Sequence, residues 1–190
     1  MRTFIAIELP EETRGALYAF SERLQKSGLR ASWVKRDVMH LTLRFLGDIT
    51  QEQCDALPSF LDDAYKNKAA PVLLARGVGA FPSPRRPAVV WAGVETVAGD
   101  LAAVQHIAES AARHIGLPVE MKPFHAHVTL ARLRKHDDSR RFSVALTPFL
   151  SQGMTPEFGY EFRAANVVLF SSTLTKYGPI HRKIEEFSLQ

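Results

Sequence analysis

The chain has 190 residues, 46% of them apolar and 23% charged, with a formal net charge of +4 at pH 7, a globular composition that excludes a disordered chain. Its one cysteine, Cys54, excludes a disulfide framework and a thiolate metal cluster. No stretch approaches the ~20 apolar residues of a membrane span, and Glu8 breaks the N-terminal apolar run short of a signal sequence, so a soluble, cytoplasmic protein is expected.

TFIAIEL (3–9) alternates and is rich in β-formers, which predicts a strand. Pro10 and two acids open a helix striped by Leu17, Phe20 and Leu24 and stopped by Gly28. ASWVK (31–35) reads as a short strand and HLTLRFLG (40–47) as another. A single helix is then expected from Thr50 through TQEQCDALPSFLDDAYK, with Glu52 helping the cap. Cys54 falls in it as a small apolar filler.

VLLARGVGAF (72–81) predicts a strand bent at its glycines, PSPRRP a loop, and AVVWAGVE (88–95) a strand buried on both faces. Leu101, Val104, Ala108, Ala111 and Ile115 keep helical spacing, with Gly116 as the stop. HVTLARL (127–133) is a strand. SVALTPFLSQ reads as a short helix interrupted by Pro148, YEFRAANVVLFSSTL as one long strand or two, and IHRKIEEFSL (180–189) as the last strand. Strands outnumber crossover helices, so the pairing is expected to be antiparallel. No linker separates the halves, so residues 1–190 are read as one domain.

The two histidine strands carry the chemistry. HLTLRFLG and HVTLARL match in register: His40 with His127, Thr42 with Thr129, Leu43 with Leu130, Leu46 with Leu133. Alternation places each histidine and its threonine on one face. An imidazole titrates near pH ~6.5, so of a facing pair one can be neutral and the other charged. That serves concerted acid–base chemistry and suits in-line displacement at phosphorus. Threonine hydroxyls can bond phosphoryl oxygens. The basic residues Arg85 and Arg86, and Arg132, Arg134, Lys135, Arg140 and Arg141 after the second motif, suit a phosphate-bearing substrate. His125 and His127 share a face and could hold a metal, but no carboxylate set accompanies them. His106, His114 and His136 are read as solvated, and Trp33 and Trp91 as packing residues.

The chain resembles the 2H phosphoesterase superfamily, and within it the RNA 2′,3′-cyclic phosphodiesterases, also called 2′–5′ RNA ligases. The resemblance runs through RTFIAIELP, HLTLRFLG, GAFPSPRRPAVVWAGVE, HAHVTLAR and SSTLTKYGPIHRKI. It implies an α+β, bilobal fold: two pseudo-symmetric lobes, each with an antiparallel sheet and flanking helices, about a central cleft. It implies metal- and cofactor-independent opening of a terminal 2′,3′-cyclic phosphate to a 2′-phosphomonoester. Carried over by motif, His40 is the general acid and His127 the general base, with near-symmetry leaving the reverse open. Thr42 and Thr129 hold phosphate oxygens, Arg132 clamps the phosphate, and Phe45 faces the terminal base. The implied partner is RNA with a 2′,3′-cyclic phosphate end, or a related cyclic nucleotide, bound by a monomer. The alternatives are a reversible 2′–5′ RNA ligase and a non-catalytic RNA-end binding module. Two features strain the carry-over. Arg132 and Phe45 lie at odd offsets from their histidines, so strand parity alone selects Arg44. His181 stands where the family often carries tyrosine, and reads as a surface residue.

Overall fold

A computed structural model describes residues 1–26, 30–134, 139–151, 159–175 and 178–190. The expected stop at Gly28, together with Lys135 and His136, lies outside the described residues. Among the described residues nine strands carry the fold: β1 (Arg2–Glu8), β2 (Ser32–Trp33), β3 (His40–Asp48), β4 (Val72–Ser83), β5 (Arg86–Ala98), β6 (His127–Arg132), β7 (Gly159–Arg163), β8 (Asn166–Thr175) and β9 (Gly178–Ser188). The helices are α1 (Glu11–Lys26), α2 (Gln51–Asp55), α3 (Leu57–Tyr65), α4 (Leu101–His114) and α5 (Ser139–Ser151).

The sheet runs β7-β4-β5-β6-β3-β1-β8-β9, with β2 beside β6, and its pairings are antiparallel. Between β3 and β6 a single pair, Leu41 with Val128, holds the ladder. That seam divides the sheet into a first lobe (β3, β1, β8, β9) and a second (β6, β5, β4, β7, with β2). The lobes are not the halves of the chain: β8 and β9 return from the C-terminal end to complete the first lobe. Halves that look like successive repeats in sequence are therefore interlaced in space.

Side-chain parity fills the core. Ile5 and Ile7 of β1, Leu41 and Leu43 of β3, and Val128 and Leu130 of β6 point to the helices and join one large core with Leu17, Leu61 and Val104. Phe4 and Ala6, on the opposite face of β1, form a separate cluster with Val168 and Phe170. Neighbouring strands lie ~4.8 Å apart, so a flat sheet would set β9 about 14 Å from β3. The His40 and His181 rings, on those two strands, have centroids 5.4 Å apart, so the first lobe is strongly curled and its Phe4 face is concave.

Several local expectations change. The helix from Thr50 breaks at Ala56, because Pro58 starts a new helix more readily than it continues an old one. Its cap is a capping box with Gln53 rather than Glu52: Gln53 N–H donates to Thr50 Oγ1 (3.2 Å) and Thr50 N–H to Gln53 Oε1 (3.0 Å). PSPRRP is the tip of the β4–β5 hairpin, with Ser83 paired to Arg86. β5 alternates between fully and half-buried residues rather than burying both faces. α5 continues through Pro148 to Ser151, and the 160–174 stretch is two strands.

Candidate active site

Leu41 and Val128 pair across the seam with both side chains fully buried in the core. Their neighbours in each strand must point the other way. Continuing the register sets His40 beside Thr129 and Thr42 beside His127, all four on the cleft side. The two histidines are then diagonal neighbours, about 7–8 Å apart in a regular antiparallel ladder. One phosphoryl group with its attacking and leaving oxygens spans such a gap.

Both imidazoles are held the same way. His40 Nδ1–H donates to the Val38 carbonyl oxygen (2.8 Å), and His127 Nδ1–H to the His125 carbonyl oxygen (2.7 Å). A carbonyl only accepts, so each Nδ1 carries the proton and each Nε2 is left for proton exchange. Aromatic rings fix the planes. Phe4 stacks on His40 at 4.7 Å, and Phe81 meets His127 edge-on at 5.1 Å. Burial pushes the His40 pKa down to about 4, against the Val38 hydrogen bond and with help from His181, Arg132 and His127. His127 is also lowered, chiefly by burial.

A bulge in each strand resolves the parity conflict. Against β1, Ala6 pairs with Thr42 and Ile5 with Arg44, leaving Leu43 extra. Against β5, Trp91 pairs with Thr129 and Val90 with Ala131, leaving Leu130 extra. The inserted residue turns an odd offset into an even one. Phe45 and Arg132, each five positions past its histidine, therefore come round to the cleft face and line a cavity of about 550 Å³. Phe45 is 54% exposed, a presented ring and not a core one. Arg44 goes to the helices instead, with Nε 2.7 Å from Glu109 Oε2 of α4 and Nη2 donating to the Pro118 carbonyl (2.7 Å). The choice that parity alone favours is overturned.

His40, Thr42, Thr129, Arg132 and Phe45 line this cavity. His127 stands half-buried at its edge, outside the lining. Of the basic residues singled out in sequence that lie among the described residues, Arg132 reaches the cavity; Arg2 and Lys35 also line it. Arg2 bears electrostatically on Arg132, whose charge burial already disfavours. Two guanidinium groups in one cavity call for an anion. The sequence reading missed Arg2, although the alternation of β1 puts it on the Phe4 face, and it misplaced His181, which also lines the cavity. His125 is exposed, and among the described residues no three of His, Cys, Asp and Glu gather as a metal-ligand set.

Curled antiparallel lobes presenting paired His-x-Thr strands to one cleft define a phosphoesterase fold, and the comparisons agree. The model of the LigT-like phosphoesterase family matches the chain twice, over residues 7–91 and 93–181, and the chain belongs to that family. It is 33% identical over 181 residues to the RNA 2′,3′-cyclic phosphodiesterase of Aquifex aeolicus, covering 93% of each chain. It is 30% identical over 186 residues to the enzyme of the same name from Thermotoga maritima, covering 98% of this chain and 94% of that one. Among solved structures, TT0787 of Thermus thermophilus superposes with a TM-score of 0.80 at 27% identity, covering 100% of this chain and 98% of that one. E. coli LigT complexed with 3′-AMP shares the fold, with a TM-score of 0.70 at 21% identity over 99% and 97% of the two chains. Among the described residues no helix is long and apolar enough to cross a membrane.

Proposed function

We propose that this chain hydrolyses the terminal 2′,3′-cyclic phosphate of RNA to a 2′-phosphomonoester. The observation that carries the reading is the Leu41–Val128 seam, which sets two His-x-Thr motifs side by side, with neither Nε2 bonded to any of the described residues. Relatives that the chain covers nearly end to end are named RNA 2′,3′-cyclic phosphodiesterase.

The shape of the cavity supports one division of roles. It opens along the first lobe, where Phe45, Leu174 and Pro179 offer apolar surface to a nucleoside. The leaving O3′ stays attached to that nucleoside, so it lies beside His40. His127, at the outer edge, meets solvent. Neutral His127 takes a proton from water through Nε2 while the water oxygen attacks phosphorus. The P–O3′ bond breaks in line, and His40 Nε2–H passes its proton to O3′. Burial keeps His40 neutral in the empty cleft, and the phosphate anion recruits its proton on binding. Thr42 and Thr129 donate to the non-bridging oxygens, and Arg132 clamps them with its fork. Phe45 stacks on the terminal base.

Protons and charge are handled by side chains alone, so activity in EDTA is expected. Both histidines stand in one chain, which makes a monomer sufficient. We assign the reaction to the cytoplasm, where a lone buried thiol such as Cys54 stays reduced.

The test is an oligoribonucleotide ending in a 2′,3′-cyclic phosphate, incubated in EDTA, with the product end identified. A 2′-phosphate is expected. A 3′-phosphate would place the wrong oxygen beside His40, and tight binding without turnover would leave only an RNA-end binder.

A further inference from the structure

His181 is a third imidazole in the cleft, and the acid–base scheme above gives it no task. It stands on β9 directly opposite Ser172 of β8, and both residues line the cavity. Its ring meets His40 edge-on at 5.4 Å and Phe4 edge-on at 4.9 Å. Its Nδ1 is buried with no hydrogen-bond partner. A proton on Nδ1 would be a buried donor with nothing to accept it, which is costly. The neutral tautomer therefore carries its proton on Nε2. Protonating the ring would restore the orphan Nδ1–H, and burial indeed lowers the pKa of His181. Nε2 is not among the buried orphan atoms and bonds to none of the described residues. His181 is thus a neutral ring with one fixed N–H donor, in the wall of the cavity, on the nucleoside side of His40.

We propose that His181 is a specificity-determining residue, whose Nε2–H donates a hydrogen bond to an acceptor on the terminal nucleoside, either a ribose oxygen or a base edge. The proposal rests on the phosphodiesterase reading for the identity of the ligand. The task differs from that of His40 and His127. Each of those has its Nδ1–H committed to a carbonyl and leaves Nε2 to gain and lose a proton. His181 has the reverse arrangement, with Nδ1 buried and unpaired and Nε2 left as the N–H donor. Such a group reads an acceptor and takes no part in proton transfer.

His181→Gln keeps an N–H donor near the position of Nε2, whereas His181→Phe keeps the ring and removes the donor. With 2′,3′-cyclic phosphate ends, His181→Phe should raise KM about tenfold, the scale of one lost hydrogen bond. kcat should stay in place, and His181→Gln should recover most of the loss. Substrates ending in each of the four bases, and ribose 2′,3′-cyclic phosphate without a base, locate the acceptor. A defect common to all of them, the base-free one included, means ribose; a defect confined to certain bases means the base edge. If His181→Phe matches wild type, if kcat falls while KM stays, or if His181→Gln recovers nothing, His181 only packs against Phe4 and His40 and the proposal fails. Calorimetric binding of a nucleoside 2′-phosphate separates this from the activity. Should the wild-type protein bind it without turning over cyclic ends, weaker binding by His181→Phe would still uphold the donor, and unchanged binding would remove it.

Discussion

The two lobes start from the same strand and put it to different uses. Each carries His-x-Thr, a bulge at the residue after the threonine, and a cleft-facing residue five positions past the histidine. In the first lobe that residue is Phe45, and the concave face beyond it is open, floored by Phe4 and Phe170 and lined at its rim by Leu174 and His181. In the second lobe it is Arg132, and the corresponding space is filled. Trp91 lies over Gly79 so closely that a Cβ there would come within 2.1 Å of the indole. Phe81 packs against Trp91 at 5.2 Å, and both rings back His127. One lobe is therefore open and apolar beyond its histidine, and the other is filled, with a braced imidazole and Arg132 on its cleft face. Pseudo-symmetry produces the facing histidines, and the departures from it give the cleft a direction.

The largest effects should come from breaking what the lobes share. His40→Ala and His127→Ala should each lower kcat/KM by about 10²–10⁴, the range of acid–base catalysis, with little change in melting temperature. The double variant should lose little more than either single one, because the two act in one step. A single variant that retains near-wild-type rate removes its histidine from the scheme. Leaving groups sharpen the test. On bis(p-nitrophenyl) phosphate, whose leaving group needs no proton, His40→Ala should regain much of its rate and His127→Ala should not. The opposite pattern would exchange acid and base.

Next in size is the position where the lobes differ. Arg132→Ala should cost about 10²–10³ in kcat/KM, the loss expected for one preorganised donor to developing charge. Arg132→Lys should recover only part, since an ammonium cannot present the paired fork. Phe45→Ala should cost less, about tenfold and mainly in KM, because one base stack is worth roughly 1–3 kcal/mol. Were Phe45→Ala to hit kcat as hard as Arg132→Ala, the division between a nucleoside lobe and a charge lobe would be wrong.

Much of this was legible in sequence because motifs and parity are local. His40, Thr42, His127 and Thr129 share a face by alternation alone, and the repeated motif marks them as a pair. What was not legible depends on ladder register and curl. The bulges at Leu43 and Leu130 can be seen only when β1 and β5 are laid beside them, so parity pointed to Arg44, which serves the α4 interface instead. His181 looked like a surface residue because nothing local says that β9 curls back over Phe4. The interlacing of the lobes was hidden for the same reason: β8 and β9 follow the second motif in sequence yet join the sheet of the first.

The subtlest difference between the lobes is electrostatic. Both imidazoles lose water, but His40 lies inside the cavity and His127 at its edge. Burial disfavours the charged ring, so both titrate below the free value of about 6.5, His40 at about 4 and His127 lowered as well. Catalysis needs one ring neutral and the other protonated. In the free enzyme the singly protonated pair is most populated between the two pKa values, with its proton mostly on His127; the bound phosphate anion draws that proton to His40, so kcat/KM should peak below pH 6.5. It should fall on the acid side as the pair takes up a second proton, and on the alkaline side as the pair loses its one. Proton NMR of the imidazole Cε1–H signals, assigned with His40→Asn and His127→Asn, measures each ring directly. His40 should titrate at the lower pH, and substrate or product phosphate should raise both midpoints, because an anion in the cleft favours the imidazolium. A His40 midpoint at or above 6.5 in the empty cleft, or a kcat/KM maximum above pH 7, would mean that water reaches that ring freely and that the first lobe does not enclose it.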